Sequence, residues 1–252
     1  MEIAHGDKFL APVLLTEMIG TMFLMLAVNL AGDDIIVTSL AFFALIVCTY
    51  SVSGGHLNPC ISIGVYIGQK VYLKRAIIMV LFIVAQFFGA LLALLFGYLL
   101  RVRVKDDSTG KDYLEPNVYS SPPPILITTD GMPSYGQIML SETIGAFFLV
   151  IVSLQARRFI KNNPQTSMIP AALVMAASLA AVHRMFRETS GGTVNPAIAL
   201  ATIIWQEFTL TVDRFNENSQ WTYEYAISFF MGPLAGALLA GACFNIMDHT
   251  IE

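Results

Sequence analysis

Two short polar boxes in an apolar sequence contain the residues best suited to bind a small molecule. They read Asn58-Pro59-Cys60 and Asn195-Pro196-Ala197. Asn is a favoured helix cap and Pro a favoured first helical residue, so each box predicts the start of a short helix. An amide at such a helix end can hydrogen-bond a neutral molecule, whereas the partial positive charge of the helix N-terminus repels cations. The chemistry this predicts is selective recognition, with no bond made or broken.

Two glutamates lie inside apolar segments. Glu17 belongs to TEMIGTMFLML, which starts at Thr16, and Glu142 belongs to SETIGAFFLVI, which starts at Ser141. A carboxylate at membrane depth is costly, so each must be partnered or functional. Their matched positions favour a shared structural role. The competing interpretation is a proton relay in a coupled transporter.

The elements that must position these residues are membrane spans. Hydrophobic residues make up 56% of the 252 residues and charged ones 13%, which excludes disorder and makes an ordinary soluble domain a poor fit. A span needs about 20 apolar residues; six segments approach or exceed that length, and two others reach only about halfway through a bilayer. The six are 9–31, 36–52, 76–100, 136–156, 168–186 and 221–247, and the two short segments are 59–69 and 196–205.

Several classes of function find no support in the sequence. The net charge of −4 provides no basic surface for nucleic acid. The cysteines lack the spacing of a metal site, and no cofactor is predicted. Neither a phosphate-binding Gly-Lys-Ser/Thr loop nor a recognisable Ser/His/Asp arrangement indicates an enzyme.

The chain divides into two similar halves at the polar segment 101–135, where extended structure is expected around 122–124. We interpret 1–252 as a single membrane domain with internal repeats over about 9–100 and 136–247. Besides the glutamate segments, GGHLNPCISIGVYI from Gly54 matches GGTVNPAIALATII from Gly191, and AQFFGALLALL from Ala85 matches GPLAGALLAGA from Gly232.

Each half contains an odd number of full spans, so the second half enters the membrane from the opposite side and the repeat is inverted. The two short helices then point towards each other near the midplane. Irregular backbone at that depth is tolerated only where protein buries it or water wets it. The two boxes therefore imply a lined cavity or pore.

At these residues the chain resembles the aquaporin (major intrinsic protein) family, over nearly its whole length. The resemblance rests on the two boxes, the two glutamate segments and the Gly-Ala-containing third and sixth spans. It implies an all-α membrane fold of six spans plus two re-entrant half-helices, a pore in each subunit, a homotetramer, cytoplasmic termini, and passive flow of water or small uncharged solutes. Lys and Arg divide evenly between the two sides, so their distribution leaves the orientation open, and the sequence does not identify the membrane.

The resemblance also implies roles for individual residues. It assigns Glu17, Glu142 and His56 as supports of the two loops, and loop packing is an equal alternative for His56. His183 lies twelve positions before Asn195, as the constriction histidine of water-selective members does, and its alternative is a satisfied core residue. The constriction residues, transferred one by one, are Thr38, His183, Gly192 and Ile198.

Two residues depart from the family pattern. Ile198 stands where an arginine usually follows the second box, and Cys60 stands where alanine is usual. Both departures are similar to those in the unorthodox, largely intracellular branch of the family. Arg184 and Arg187 are close in sequence, but helix-end cations at the membrane interface explain them better than a substitute for the missing arginine.

The sequence thus predicts a passive water channel, with ammonia, hydrogen peroxide, urea and glycerol as further candidate solutes. Ala199 and Phe229-Phe230 replace residues typical of glycerol-conducting members, while the small Thr38 and Gly192 favour a wider constriction. The alternative from another class is a non-conducting, aquaporin-like structural subunit of a larger membrane complex. The segments 101–135 and 207–220 would then be partner surfaces.

Overall fold

The structure, a computed structural model, describes residues 10–31, 34–69, 73–100, 102–105, 112–115, 134–163, 166–213 and 226–249. Within these ranges, six helices are long and apolar enough to cross a membrane, which confirms the predicted spans. They are α1 (Leu10–Ala31), α2 (Ile35–Ser53), α4 (Leu73–Leu99), α5 (Tyr135–Asn162), α6 (Met168–Met185) and α8 (Ala226–His249). The two remaining helices, α3 (Pro59–Gly68) and α7 (Pro196–Asp213), begin at the prolines of the two boxes.

The polar connection between the halves contains an antiparallel hairpin of β1 (Val102–Lys105) and β2 (Asp112–Glu115), which we did not predict. The expected extended structure at 122–124 lies outside the described residues, as do the termini, 214–220 of the second candidate partner surface and 221–225 of the last predicted span.

Two helices are longer than the apolar pattern indicates. The helix α7 continues from the predicted end at 205 to Asp213, and α5 continues from the predicted end at 156 to Asn162. Hydropathy marks the part of a helix that suits hydrocarbon, whereas backbone hydrogen bonding continues past it into polar sequence. For α5 the extension matters, because it carries Arg157 and Arg158.

The helices pack as two matched sets. The helix α1 packs against α4 as α5 packs against α8, and α1 packs against α2 as α5 packs against α6. Across the halves, α3 lies on α8 and α7 lies on α4, while α2 packs against α6. Each half-helix is thus held largely by the other half, and the two loops that precede them are brought face to face.

Matched glycines permit close contacts between helices. A Cβ atom on Gly89 of α4 would clash with the carbonyl oxygen of Met18 on α1. A Cβ atom on Gly236 of α8 would clash with the carbonyl oxygen of Thr143 on α5. Small residues let membrane helices approach through their backbones, and here they do so at corresponding positions of the two repeats.

The distribution of polar side chains is that of a membrane protein with a hydrogen-bonded interior. Glu17, Gln86 and Glu142 are fully buried, whereas large apolar side chains such as Phe23, Leu40 and Ile227 are exposed. In a bilayer the exposed apolar side chains contact lipid, so burying polar groups among the helices is how the fold separates them from hydrocarbon.

Candidate functional site

The two box asparagines meet where the two half-helices begin. Asn58 Nδ2 donates to the carbonyl oxygen of Val194 at 2.9 Å, and Asn195 Nδ2 donates to the carbonyl oxygen of Leu57 at 3.0 Å. The side-chain oxygens cap their own helices, since Asn58 Oδ1 accepts from the Cys60 amide at 2.8 Å and Asn195 Oδ1 from the Ala197 amide at 3.1 Å. Each asparagine therefore fixes its own helix and the opposite loop.

Glu142 accepts three hydrogen bonds from the second loop. Its Oε1 accepts from Ser190 Oγ at 2.6 Å and from the Thr193 amide at 3.0 Å, and its Oε2 accepts from the Val194 amide at 2.7 Å. Charge-assisted bonds of this length satisfy a buried carboxylate without a cation.

Glu17 makes the matching contacts with the first loop. Its Oε1 accepts from Ser53 Oγ at 2.6 Å and from the His56 amide at 2.9 Å, and its Oε2 accepts from the Leu57 amide at 2.8 Å. A fourth donor, Gln86 Nε2, also reaches Oε2 at 2.8 Å. Glu17 thus accepts four hydrogen bonds, about as many as the lone pairs of a carboxylate allow.

Both loops hold a branched residue in the left-handed backbone region. Leu57 has φ of 53° and Val194 has φ of 42°, a conformation that is costly for a β-branched residue. In each case the amide is bound by the glutamate of its own half and the carbonyl by the asparagine of the other half. In this strained conformation, the amide and the carbonyl of each residue point in different directions. The amide contacts the glutamate and the carbonyl contacts the asparagine.

His56 continues the network of the first loop. Its Nδ1 lies 3.1 Å from Ser62 Oγ, which also accepts from Gln86 Nε2 at 2.9 Å, and its ring packs edge-on against Phe82 with centroids 5.1 Å apart. Thr193, at the matching position of the second loop, has no such ring. The first loop therefore makes a ring contact that the second loop cannot make at the matching position.

Three of the four residues transferred as a constriction lie near helix ends, and the fourth, Gly192, lies in the second loop. Thr38 lies in the first turn of α2 and His183 near the end of α6, and α2 packs against α6. A Cβ atom on Gly192 would lie 2.6 Å from the carbonyl oxygen of Val182, the neighbour of His183. Ile198 is buried in the first turn of α7.

Cys60 and Ile198, the two departures, are both buried, so each packs within the protein next to its box. Arg184 and Arg187 are exposed, which agrees with helix-end cations at an interface. Within the described ranges, no cluster of three or more His, Cys, Asp or Glu side chains could hold a metal ion.

The structure adds residues that sequence reasoning missed. The repeat extends one residue further than we noted, because Ser53 and Ser190 precede the matched Gly-Gly pairs, and both donate to the glutamates. Gln86 is a polar residue in the middle of an apolar span, which was a usable signal. Arg157 gave none, because a cation at the end of a span normally marks the interface.

Comparison with known proteins agrees with this arrangement. The sequence profile of the major intrinsic protein family matches residues 8–122 and 131–215. A probable aquaporin PIP2-2 of Oryza sativa subsp. japonica is 30% identical over 204 residues, which cover 79% of this chain and 60% of that relative. A probable aquaporin PIP-type 7a of Pisum sativum is 27% identical over 213 residues, which cover 83% of this chain and 63% of that relative.

The chain thus spans about three fifths of the length of these plant relatives. Among solved structures, an aquaglyceroporin from Plasmodium falciparum superposes with a TM-score of 0.69 at 16% identity, covering 96% of this chain and 98% of that chain. At that identity the similarity shows the fold.

Proposed function

This chain belongs to the major intrinsic protein family, and from that premise we propose that it is a passive channel for water. The observation that supports this most directly is the reciprocal contact of Asn58 and Asn195. Each amide group has two N–H donors, and one is used in that contact. The second is left for a molecule that passes between the loops.

The two amides would act on such a molecule only as donors. Their oxygens face the half-helices, whose backbone amides they accept, so the groups offered to a passing molecule are N–H donors, which suit an acceptor such as the oxygen of water. Both helix N-termini also point to this place, each with roughly half a positive charge, which opposes cations and excess protons. Neutral molecules with a lone pair that accepts a hydrogen bond fit this site.

The glutamates fit a supporting role better than proton transfer. Within the described ranges, every hydrogen bond that Glu17 and Glu142 accept comes from a loop amide, from Ser53 or Ser190, or from Gln86. A proton carrier would have to release some of these bonds in each cycle. We therefore propose that both carboxylates hold the loops permanently, as passive conduction requires.

We propose that Thr38, His183, Gly192 and Ile198 line a narrow part of the path on the side opposite the chain's N-terminus. Two of these residues, Gly192 and Thr38, are small, and Ile198 offers no hydrogen-bond donor. These features favour a wider constriction and make ammonia, hydrogen peroxide, urea and glycerol secondary candidates, while Ala199 and Phe229-Phe230 favour water as the primary permeant.

We also propose, from the family, that the protein is a homotetramer with one pore in each subunit and both termini in the cytoplasm. Apolar side chains exposed on the helix faces supply surfaces for lipid and for neighbouring subunits. Cross-linking in the membrane and labelling of terminal tags in sealed vesicles would test the two statements separately.

The direct test is osmotic shrinkage of proteoliposomes followed by stopped-flow light scattering. Sucrose serves as the impermeant osmolyte, and empty vesicles and vesicles with an unrelated helical membrane protein serve as controls. We expect rapid shrinkage with a low activation energy. Shrinkage no faster than that of lipid, from protein shown to be folded and inserted, would contradict the proposal and direct the search to partner proteins of a structural subunit.

A further inference from the structure

A buried arginine reaches from one half of the molecule into the loop of the other. Arg157 lies near the end of α5, on the side of the membrane where α1 begins, because α5 is the fourth full span. Its Nη1 donates to the carbonyl oxygen of Gly54 at 2.5 Å and its Nη2 to that of Gly55 at 3.0 Å. The residue is 7% exposed.

Among the described residues, the Arg157 guanidinium forms no salt bridge, and the Glu17 carboxylate acts on it only through a longer-range Coulombic interaction. The ion pair found in the described part of the chain is formed by the next residue, Arg158, with Asp248 at 3.0 Å. The Tyr50 ring lies 5.6 Å from the guanidinium carbon of Arg157, and Nε has no hydrogen-bond partner among the described residues. The two carbonyls, the Tyr50 ring and the charge of Glu17 offset part of the cost of burying this cation, which remains high without a salt bridge.

The two loops differ at this point although their contacts with the box asparagines match. In the second loop, no side chain of the described residues donates to the carbonyls of Gly191 or Gly192. Arg157 thus breaks the twofold relation and puts a cation and a bulky side chain in one half only. The histidine of the first loop is its neighbour, since the Cβ position of Gly54 is 3.3 Å from Arg157 Nη1 and 3.4 Å from His56 Nε2.

The position lies along the expected path. The loop backbone from Gly54 leads directly to Asn58, and the helix α3 that follows packs against α8, α4 and α5. The carbonyls of Gly54 and Gly55 are acceptors on that backbone, and Arg157 occupies both. Its side chain crosses from α5 to the loop just before the first box.

We propose that Arg157 is a conductance-determining residue, which forms an inner constriction between α5 and the first loop and limits the flow of water. This inference rests on the proposed channel function. By filling the entrance and engaging two carbonyls that water would otherwise use, the guanidinium slows passage while leaving the asparagine site intact.

The test replaces Arg157 with cysteine and restores the charge chemically. In proteoliposomes of the full chain, we expect Arg157→Cys to raise the water permeability per inserted protein roughly threefold, as removal of a steric and hydrogen-bonding barrier should. A trimethylammonium-ethyl methanethiosulfonate reagent should lower the permeability again, and dithiothreitol should reverse that effect. A merely structural role would not give this reversible change.

Arg158→Cys is the matched control. It removes an arginine one position away, from an ion pair that is partly exposed, and keeps the same three native cysteines. Its water permeability should equal that of the parent protein before and after the reagent.

The outcomes separate the two proposals. If the parent protein conducts water and Arg157→Cys is neither faster nor sensitive to the reagent, the constriction is wrong and the channel function stands. If neither protein conducts although both are inserted and folded, both proposals fail. Should the cysteine variant not fold, Arg157→Lys keeps the charge but cannot engage both carbonyls with a planar fork, so we expect faster flow, and unchanged flow would overturn the constriction.

Discussion

At the scale of single residues, the interior is organised by buried acceptors that each serve several donors. Glu142 has three, from Ser190, Thr193 and Val194. Such a group stabilises the loop only while it remains an acceptor at both oxygens, because a buried donor without a partner costs about 1–3 kcal/mol. The loop geometry therefore depends on a carboxylate at this position, and a side chain of equal size that cannot accept at both oxygens would not replace it.

Replacing Glu142 with glutamine tests this dependence. The amide group would face one of the three donors, so we expect destabilisation of about 1–3 kcal/mol and a lower midpoint of thermal unfolding in detergent. Glu188→Gln, at an exposed position just before the second loop, is the control and should leave the midpoint unchanged. Equal midpoints for both variants would argue that the carboxylate does not hold the loop.

Ile198 offers a second prediction at this scale. If it lines the narrow part of the path, Ile198→Arg should narrow the path, supply donors and lower the ratio of glycerol to water permeability. The measurement is glycerol-driven and sucrose-driven volume change in the same vesicles, with Ile198→Leu as a control of similar size. With glycerol flow measurable in the parent, an unchanged ratio in the arginine variant would contradict this placement.

At the scale of elements, the fold depends on helices that touch through their backbones. The contact of Gly89 with Met18 repeats as the contact of Gly236 with Thr143, so both halves use the same joint between their first and third spans. The obstacle to a side chain at either glycine is backbone, which cannot rotate away as a flexible side chain can. The two helices therefore cannot accommodate a side chain at either glycine without moving their backbones apart.

We expect Gly89→Ala to force α1 and α4 apart and to destabilise the protein by about 1–3 kcal/mol, as overpacking of a dense interior does. Gly136→Ala at the start of α5 is the matched control, because no atom lies within 4 Å of its Cβ position. The yield of monodisperse protein and its thermal midpoint should fall for the first variant alone. A stable Gly89→Ala protein would show that the helices tolerate greater separation.

At the scale of the whole molecule, the two halves present opposed helix N-termini to one path. The arrangement requires no moving part, since each loop is held both by a glutamate of its own half and by an asparagine of the other. Conduction driven only by the gradient follows from such a fixed site.

Reversing the osmotic gradient across one set of proteoliposomes tests that consequence. Water permeability should be equal for shrinkage and for swelling, and neither a protonophore nor a sodium gradient should change it. Empty vesicles under the same four conditions give the lipid contribution. Dependence of the flow on a proton gradient would favour the coupled transporter and a proton-carrying role for Glu17 or Glu142.

The sequence by itself determined the number and kind of the membrane elements. Apolar length is enough to identify six spans, and Asn-Pro at the start of a short apolar segment identifies each half-helix, because both signals are local. The repeated order of the motifs indicated that the boxes belong together. The functions assigned to Thr38, His183, Gly192 and Ile198 remain predictions.

Only the tertiary structure decided which groups share a hydrogen bond. The crossed contacts of Asn58 with Val194 and of Asn195 with Leu57 join residues 136 and 138 positions apart, and no local pattern encodes such a pairing. Arg157 is the clearest case. Its sequence position is that of an interfacial cation, but the packing of α5 near the first loop brings its guanidinium to two backbone carbonyls 102 and 103 positions away.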